Sequence, residues 1–278
     1  LIQNATSTRS LMYYLYSIRQ AKRLGCKVMM YGCGIGPVTG EKNQTRTAAV
    51  LEENVDLITL RDQESLDTLR SFGVHTPEVR ITADPALLME GDDSAAERYL
   101  TRMGLNPEGH YSLFVLRPWD GTQERLAAIS AAADYGWEKY GLAPLFYTLE
   151  PSRDGEITRS AAAMVKAPCR ILDPVDRGET LCGLMGRMDL VVAMRLHALV
   201  FACARQTRVA AISYDPKVSG FMSYLGSESC VALDSVTAER MKALLDQAMA
   251  ETEQHTHVDQ LKALAAENGR LAAQLLRM

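Results

Sequence analysis

Leu190-Val191-Val192-Ala193-Met194-Arg195-Leu196-His197 passes in one step from five apolar residues to an arginine and a histidine. A continuously apolar run of this kind has the composition of a strand buried on both faces. Arg195 and His197 at its exit cannot both be core residues without partners. The same pattern, an apolar run followed by turn-forming and charged residues, recurs along the chain in alternation with helical periodicity. Strands are expected at Tyr111–Leu116, Pro144–Leu149, Arg170–Leu172, Leu190–Ala193, Val209–Ile212 and Val231–Leu233. Between them lie helices at about Gln123–Tyr140, Gly155–Val165, Glu179–Gly186, His197–Arg205 and Lys217–Leu225. The chain closes with long helical segments from Thr237 to Arg277 and sustains no heptad.

The first part of the chain has the same grammar. Thr8–Leu24 reads as a helix stopped by Gly25, and Lys27–Tyr31 as a strand entering Gly32-Cys33-Gly34-Ile35-Gly36-Pro37. A helix over Asn43–Asn54, a strand at Val55–Leu60, a helix from Asp62 to near Gly73 and a strand at Glu78–Thr82 follow. Such βαβαβ traffic implies a parallel sheet with right-handed crossovers. Turn formers at Gly91-Asp92-Asp93-Ser94 and Asn106-Pro107-Glu108-Gly109 place a domain boundary in 91–110. The expected organisation is a Rossmann-like domain at 1–95, a second at 108–236 that binds the donor, and C-terminal helices at 237–278. Two parallel-sheet α/β domains facing a cleft define the architecture known as GT-B in glycosyltransferases. In it a terminal helix often crosses back to the first domain. Leu1–Ser7 reads as a loop running into a helix, and three strands make a thin sheet. The N-terminal domain is therefore expected to lack its first elements.

Bulk properties exclude several classes. The 278 residues carry a net charge of -4, with no basic footprint for nucleic acid. No stretch approaches the roughly 18 apolar residues of a membrane span, and no secretory signal is visible. The six cysteines form no CxxC and no metal-ligand spacing with His, so buried free thiols are expected. The glycine-rich loop at 32–37 lacks GxGxxG spacing, and Pro37 removes a donor from any phosphate cradle. Its expected use is close backbone approach of a ligand or of the opposite domain.

In open α/β sheets ligands sit beyond the C-terminal strand ends. Five exits carry candidates: Arg61-Asp62, Asp84-Pro85, Arg117-Pro118-Trp119-Asp120, Arg195-Leu196-His197, and Tyr214-Asp215 with Lys217. If a helix opens at Leu196, its first-turn amides favour an anion and Arg195 adds a bidentate fork. The competing interpretation is a core histidine with its ring satisfied by backbone, beside an arginine in a domain-interface ion pair. Arg117 could instead bridge to Asp120, Lys217 could be a solvated loop lysine, and Asp84 a turn or cap. Asp62 reads as a helix cap.

These segments, taken together, resemble the polysaccharide pyruvyl transferase family. The match runs through Leu11-Met12-Tyr13-Tyr14-Leu15, Tyr31–Pro37, Ile58–Ser65, Thr82–Pro85, Leu116–Trp119, Met194–Ala198 and Ile212–Lys217. It is strongest to CsaB-type bacterial members that modify cell-wall polymers. The resemblance implies phosphoenolpyruvate as donor substrate, with no metal or other cofactor. It implies an N-acetylmannosamine-containing, lipid-linked disaccharide as acceptor and a pyruvate ketal as product. By similarity, Arg195, Leu196, His197 and Lys217 hold the donor, with Arg61 and Arg117 as further cations. His197 is the expected general acid, kept protonated by the donor phosphate, and Asp84 or Asp120 the base. A cytoplasmic location at the inner membrane face follows from such an acceptor, while the oligomeric state stays open. Two other functions fit the same residues. One is a nucleotide-sugar glycosyltransferase using Asp215 or Asp173 to hold ribose; the other is a catalytically silent glycan-binding module.

Overall fold

Hydrophobic burial drives each apolar run into a strand covered by helices, and the alternation along the chain produces two separate parallel sheets. The computed structural model of the chain describes residues 2–4, 7–251 and 254–277, the side chains of residues 254–256 excepted. Two compact units emerge: Leu1–Pro85 with Gln260–Met278, and Ala86–Asp259.

In the first unit, α1 (Thr8–Arg23) is capped by the Ser7 hydroxyl, which accepts from the Ser10 amide. There follow β1 (Met29–Cys33), α2 (Glu41–Asn54), β2 (Leu57–Leu60), α3 (Gln63–Ser71) and β3 (Glu78–Ile81). The sheet is parallel in the order β1-β2-β3. Its core gathers Leu11, Leu15, Val50, Leu51, Ile58, Leu60 and Leu69. Asp62 is the N-cap of α3, accepting from the Ser65 amide at 2.7 Å, as its sequence position predicts.

The second unit contains α4 (Asp93–Arg102), β4 (Tyr111–Val115), α5 (Thr122–Tyr140), β5 (Ala143–Phe146), α6 (Pro151–Ala162), β6 (Arg170–Ile171), α7 (Gly178–Met185), β7 (Leu190–Ala193), α8 (Leu196–Ala204), β8 (Arg208–Ser213), α9 (Pro216–Tyr224), β9 (Cys230–Ala232) and α10 (Ala238–Ala250). Its six-stranded sheet has the order β6-β5-β4-β7-β8-β9. Every pairing in it is parallel. The core sits under Phe114, Phe146, Val192 and Ile212, with α5 and α10 closing one face.

The final helix, α11 (Gln254–Leu275), passes into the first unit from Gln260 onward. There its buried Asn268 bonds the Thr82 hydroxyl at 2.9 Å and the Ala83 carbonyl at 3.1 Å. The division between units falls at Pro85, earlier than the 91–110 linker that turn-forming residues suggest. The physical reason is local. Residues 93–102 form α4, capped by Asp92, which packs on α7. The Asp92 amide also donates to the Glu179 carbonyl at 2.8 Å. Likewise 237–278 is not one terminal block, since α10 lies on α5 while α11 leaves for the other unit. No helix among the described residues is long and apolar enough to cross a membrane. All six cysteines are free; Cys33, Cys182 and Cys203 are buried, whereas Cys26 is exposed.

Candidate active site

The strand order of the second unit fixes where a ligand belongs. The chain starts at β4, steps outward through β5 to β6, then returns to β7 on the other side of β4. The strand order therefore reverses between β4 and β7, and connections leave to opposite faces there, opening a crevice beyond the strand ends. Val115 and Ala193 are registered partners across that pair. Arg117 and Arg195 each stand two residues beyond it, so the register places two of the expected cations at one crevice. Tyr214, Asp215 and Lys217 follow β8, the strand next to β7.

Arg195 is not available as an open fork. Its Nε donates to Asp154 Oδ2 at 3.1 Å and its Nη2 to Asp154 Oδ1, so the bidentate edge is filled. Nη2 also reaches Glu150 Oε2 at 3.0 Å. Asp154, on α6, is fully buried, and Arg195 is 12% exposed. Burial pulls the Arg195 pKa down, but the bonds and charges of Asp154 and Glu150 outweigh it, and the guanidinium is held above its ordinary value. Burial raises Glu150, and Arg195 more than offsets this, leaving it below the ordinary carboxylate value. Arg195 is thus ion-paired, but within the second unit and beside an exposed His197, whereas the alternative requires a domain-interface pair and a core histidine. Glu150 escaped the survey of strand exits although Glu150-Pro151 follows β5 as Arg195 follows β7. That position was the available signal.

Arg117 is the opposite case. Its Nη1 donates to the Tyr214 hydroxyl at 2.5 Å. Its guanidinium carbon lies 4.7 Å from the Tyr214 ring centroid and 5.1 Å from that of Trp119. Among the described residues it has no carboxylate partner, the bridge to Asp120 is not formed, and its Nε is buried without a hydrogen bond. A guanidinium desolvated by aromatic faces and lacking a counter-charge is a ready anion site. Trp119 and Tyr214, whose rings are 4.8 Å apart, are the residues that residue-type reasoning about cations passed over.

Lys217 opens α9 under an Asp215 cap, which accepts its amide at 3.1 Å. Its Nζ is 3.2 Å from Asp215 Oδ2, with the two side chains 36% and 29% exposed. Such an open pair contributes roughly 0–1 kcal/mol, so Lys217 can turn to a ligand at little cost. The Arg195 pair cannot, because separating a buried pair strands its charge. His197, exposed in the first turn of α8, stacks loosely on Phe201 at 6.3 Å. Leu196 is buried, leaving its backbone amide as the group that could meet a ligand. Asp120 is exposed and makes no bond or ion pair among the described residues. Asp215, a candidate for holding ribose, is committed to capping, and the Asp173 carbonyl accepts from Tyr99.

The remaining candidates lie in the first unit. Arg61 donates to Asp84 at 2.9 Å and to Asp62 at 3.4 Å. Arg61, Arg195 and Lys217 therefore each have a carboxylate, contrary to a set of uncompensated cations. The glycine loop is closely approached by its own chain. A Cβ on Gly32, whose φ is +55°, would lie 2.5 Å from Pro85 Cδ, and one on Gly34 2.9 Å from the Arg61 guanidinium. Its amides are spent as well: Gly32 on Thr59, Ile35 on Ser65 and Gly36 on the Ile2 carbonyl. Among the described residues, no group of three or more His, Cys, Asp or Glu is placed to hold a metal ion.

A parallel sheet in the order β6-β5-β4-β7-β8-β9 with an anion-ready arginine at its switch point defines a doubly wound α/β protein. Solved structures agree on the fold. Anabaena HepE in complex with UDP-glucose is 12% identical, with TM-score 0.61 over 95% of this chain and 76% of that one. The UDP-GlcNAc 2-epimerase of Methanocaldococcus jannaschii is 14% identical, with TM-score 0.61 over 95% and 76%. The UDP-forming trehalose-phosphate synthase of Burkholderia xenovorans is 14% identical, with TM-score 0.59 over 94% and 71%. No curated protein matches the sequence. The polysaccharide pyruvyl transferase family model matches residues 3–216, and the chain belongs to that family of transferases.

Proposed function

We propose that this protein transfers the enolpyruvyl group of phosphoenolpyruvate to a sugar and closes it into a pyruvate ketal. The observation that carries this is Arg117 at the β4/β7 switch point, lying against two aromatic rings and without a carboxylate partner among the described residues. Phosphoenolpyruvate brings a carboxylate and a phosphate. Arg117 binds one of them, and Lys217 turns from Asp215 to the other. Arg195 acts differently from a ligand clamp: locked on Asp154, it fixes the entry of α8 and hence the positions of the Leu196 amide and His197. Arg61 and Asp84 remain candidates in the first unit.

His197 delivers a proton to the methylene carbon, which makes C2 an oxocarbenium-like electrophile. One sugar hydroxyl adds there and loses its proton to a base, for which Asp120, without a partner among the described residues, is better suited than ion-paired Asp84. The C2–O bond to phosphate then breaks, with Lys217 stabilising the leaving group, and a second hydroxyl closes the ring, its proton returning to the now neutral His197. The acceptor in this account is an amino-sugar, lipid-linked glycan, N-acetylmannosamine-containing by family resemblance, which brings the enzyme to a membrane face. The test is a thermal-shift comparison. Phosphoenolpyruvate at 100 times its Kd adds about 2.7 kcal/mol of stability. Stabilisation by UDP-sugars instead, with none by phosphoenolpyruvate, replaces pyruvyl transfer by glycosyl transfer.

A further inference from the structure

Beside Arg117 the second unit carries an open cavity of about 620 Å³, within the roughly 300–1,000 Å³ typical of ligand clefts. Trp119 and Tyr214 line it together with three carboxylates, Asp120, Glu124 and Asp234. Trp119 is 47% exposed, far more than packing alone requires of the largest side chain. Its one lining cation, Arg125, is turned to backbone, with Nη1 on the Gly121 carbonyl at 2.8 Å and Nη2 on the Asp234 carbonyl at 3.1 Å. Aromatic faces and carboxylates unpaired among the described residues suit one kind of ligand. A hexopyranose offers a C–H face to the negative face of an aromatic ring and hydroxyl donors to carboxylates. Three carboxylates against one backbone-bound guanidinium repel an anionic sugar.

We infer that this groove is the acceptor subsite and that it selects neutral hexopyranose rings over uronates. The inference rests on the pyruvyl-transfer account, to which it adds the acceptor class. Trp119 and Tyr214 belong both to the groove and to the stack on Arg117, so the sugar ring and the donor lie side by side, as attack on C2 requires. Glu124, exposed on the first turn of α5, is a specificity residue that touches neither donor nor proton.

The test is ligand-observed NMR titration of the whole chain, without donor. The probes are methyl glycosides of glucose, galactose and mannose, and the matching methyl uronides. At least one neutral glycoside is expected to bind tenfold or more tightly than its uronide. Trp119→Leu abolishes that binding, and Glu124→Gln narrows the gap several-fold. Absence of binding by any neutral glycoside, equal binding of a uronide, or binding indifferent to Trp119→Leu overturns the inference. Donor binding is read separately, by thermal shift with phosphoenolpyruvate on wild type and Glu124→Gln. Its absence sinks the pyruvyl-transfer account while the sugar titration still decides the groove.

Discussion

Arg195 forks onto Asp154, Nε to one carboxylate oxygen at 3.1 Å and Nη2 to the other, with the aspartate wholly buried on α6. The arginine at the sharpest sequence motif therefore belongs to the scaffold that aims the motif. Removing Asp154 leaves the buried guanidinium with only Glu150, a more exposed carboxylate, as its counter-charge. Asp154→Ala is expected to cost about 3–5 kcal/mol in urea unfolding. A cost under about 1 kcal/mol contradicts the structural role.

Acid should loosen this network, and separately the Asp56 pair of the first unit. Glu150 is held below its ordinary value of 4.5 by Arg195, and Asp56 below 3.8 by Lys22 and the Val28 amide, in each case against burial. Because both are depressed in the folded state, the stability they supply is complete above those ordinary values. It is lost as pH falls through the folded ones. The urea midpoint should be flat near neutrality and decline below about pH 4.5. Glu150→Gln should flatten part of that decline; an identical profile in the variant would contradict this.

In the proposed reaction Arg117 and Lys217 divide the donor between them, and each should be replaceable without unfolding the chain. Loss of a charge-assisted hydrogen bond costs about 1.5–3 kcal/mol. Arg117→Ala should therefore weaken phosphoenolpyruvate binding roughly 10–100-fold by isothermal titration. Lys217→Glu should raise the donor KM more than it lowers kcat. Unchanged donor affinity in both variants would remove them from the site.

Gly32 is fixed by geometry and not by a ligand. Its φ of +55° and the approach of Pro85 to 2.5 Å from a would-be Cβ leave no room for a side chain. The left-handed conformation alone costs a non-glycine residue roughly 1–2 kcal/mol. Gly32→Ala should thus lower stability by at least that much in denaturant unfolding. A neutral substitution would show that the Gly32–Pro85 approach is not maintained in solution.

Much of the architecture was legible because burial writes itself into composition. Leu190–Ala193 is a strand with the bounds its apolar run suggests, and β4, β5 and β8 shift by only a few residues at their ends. Helix α4 was missed because its N-cap Asp92 and the left-handed Gly104 just past its C-cap are the same residue types that mark linkers. The identities of the strand exits were legible; their electrostatics were not. That Arg195 meets Asp154, 41 residues away, and Arg117 meets Tyr214, 97 away, depends on strand order and register. Local spacing carries neither. Nor does it reveal that the glycine loop accommodates Pro85 and Arg61.

The most direct measurement is the initial rate of phosphate release from phosphoenolpyruvate with a sugar acceptor, for wild type and His197→Ala. Proton transfer by a positioned side chain contributes about 10²–10⁴-fold. The account predicts a loss of that size in a variant that melts like wild type. A well-folded His197→Ala protein that releases phosphate at the wild-type rate would contradict it.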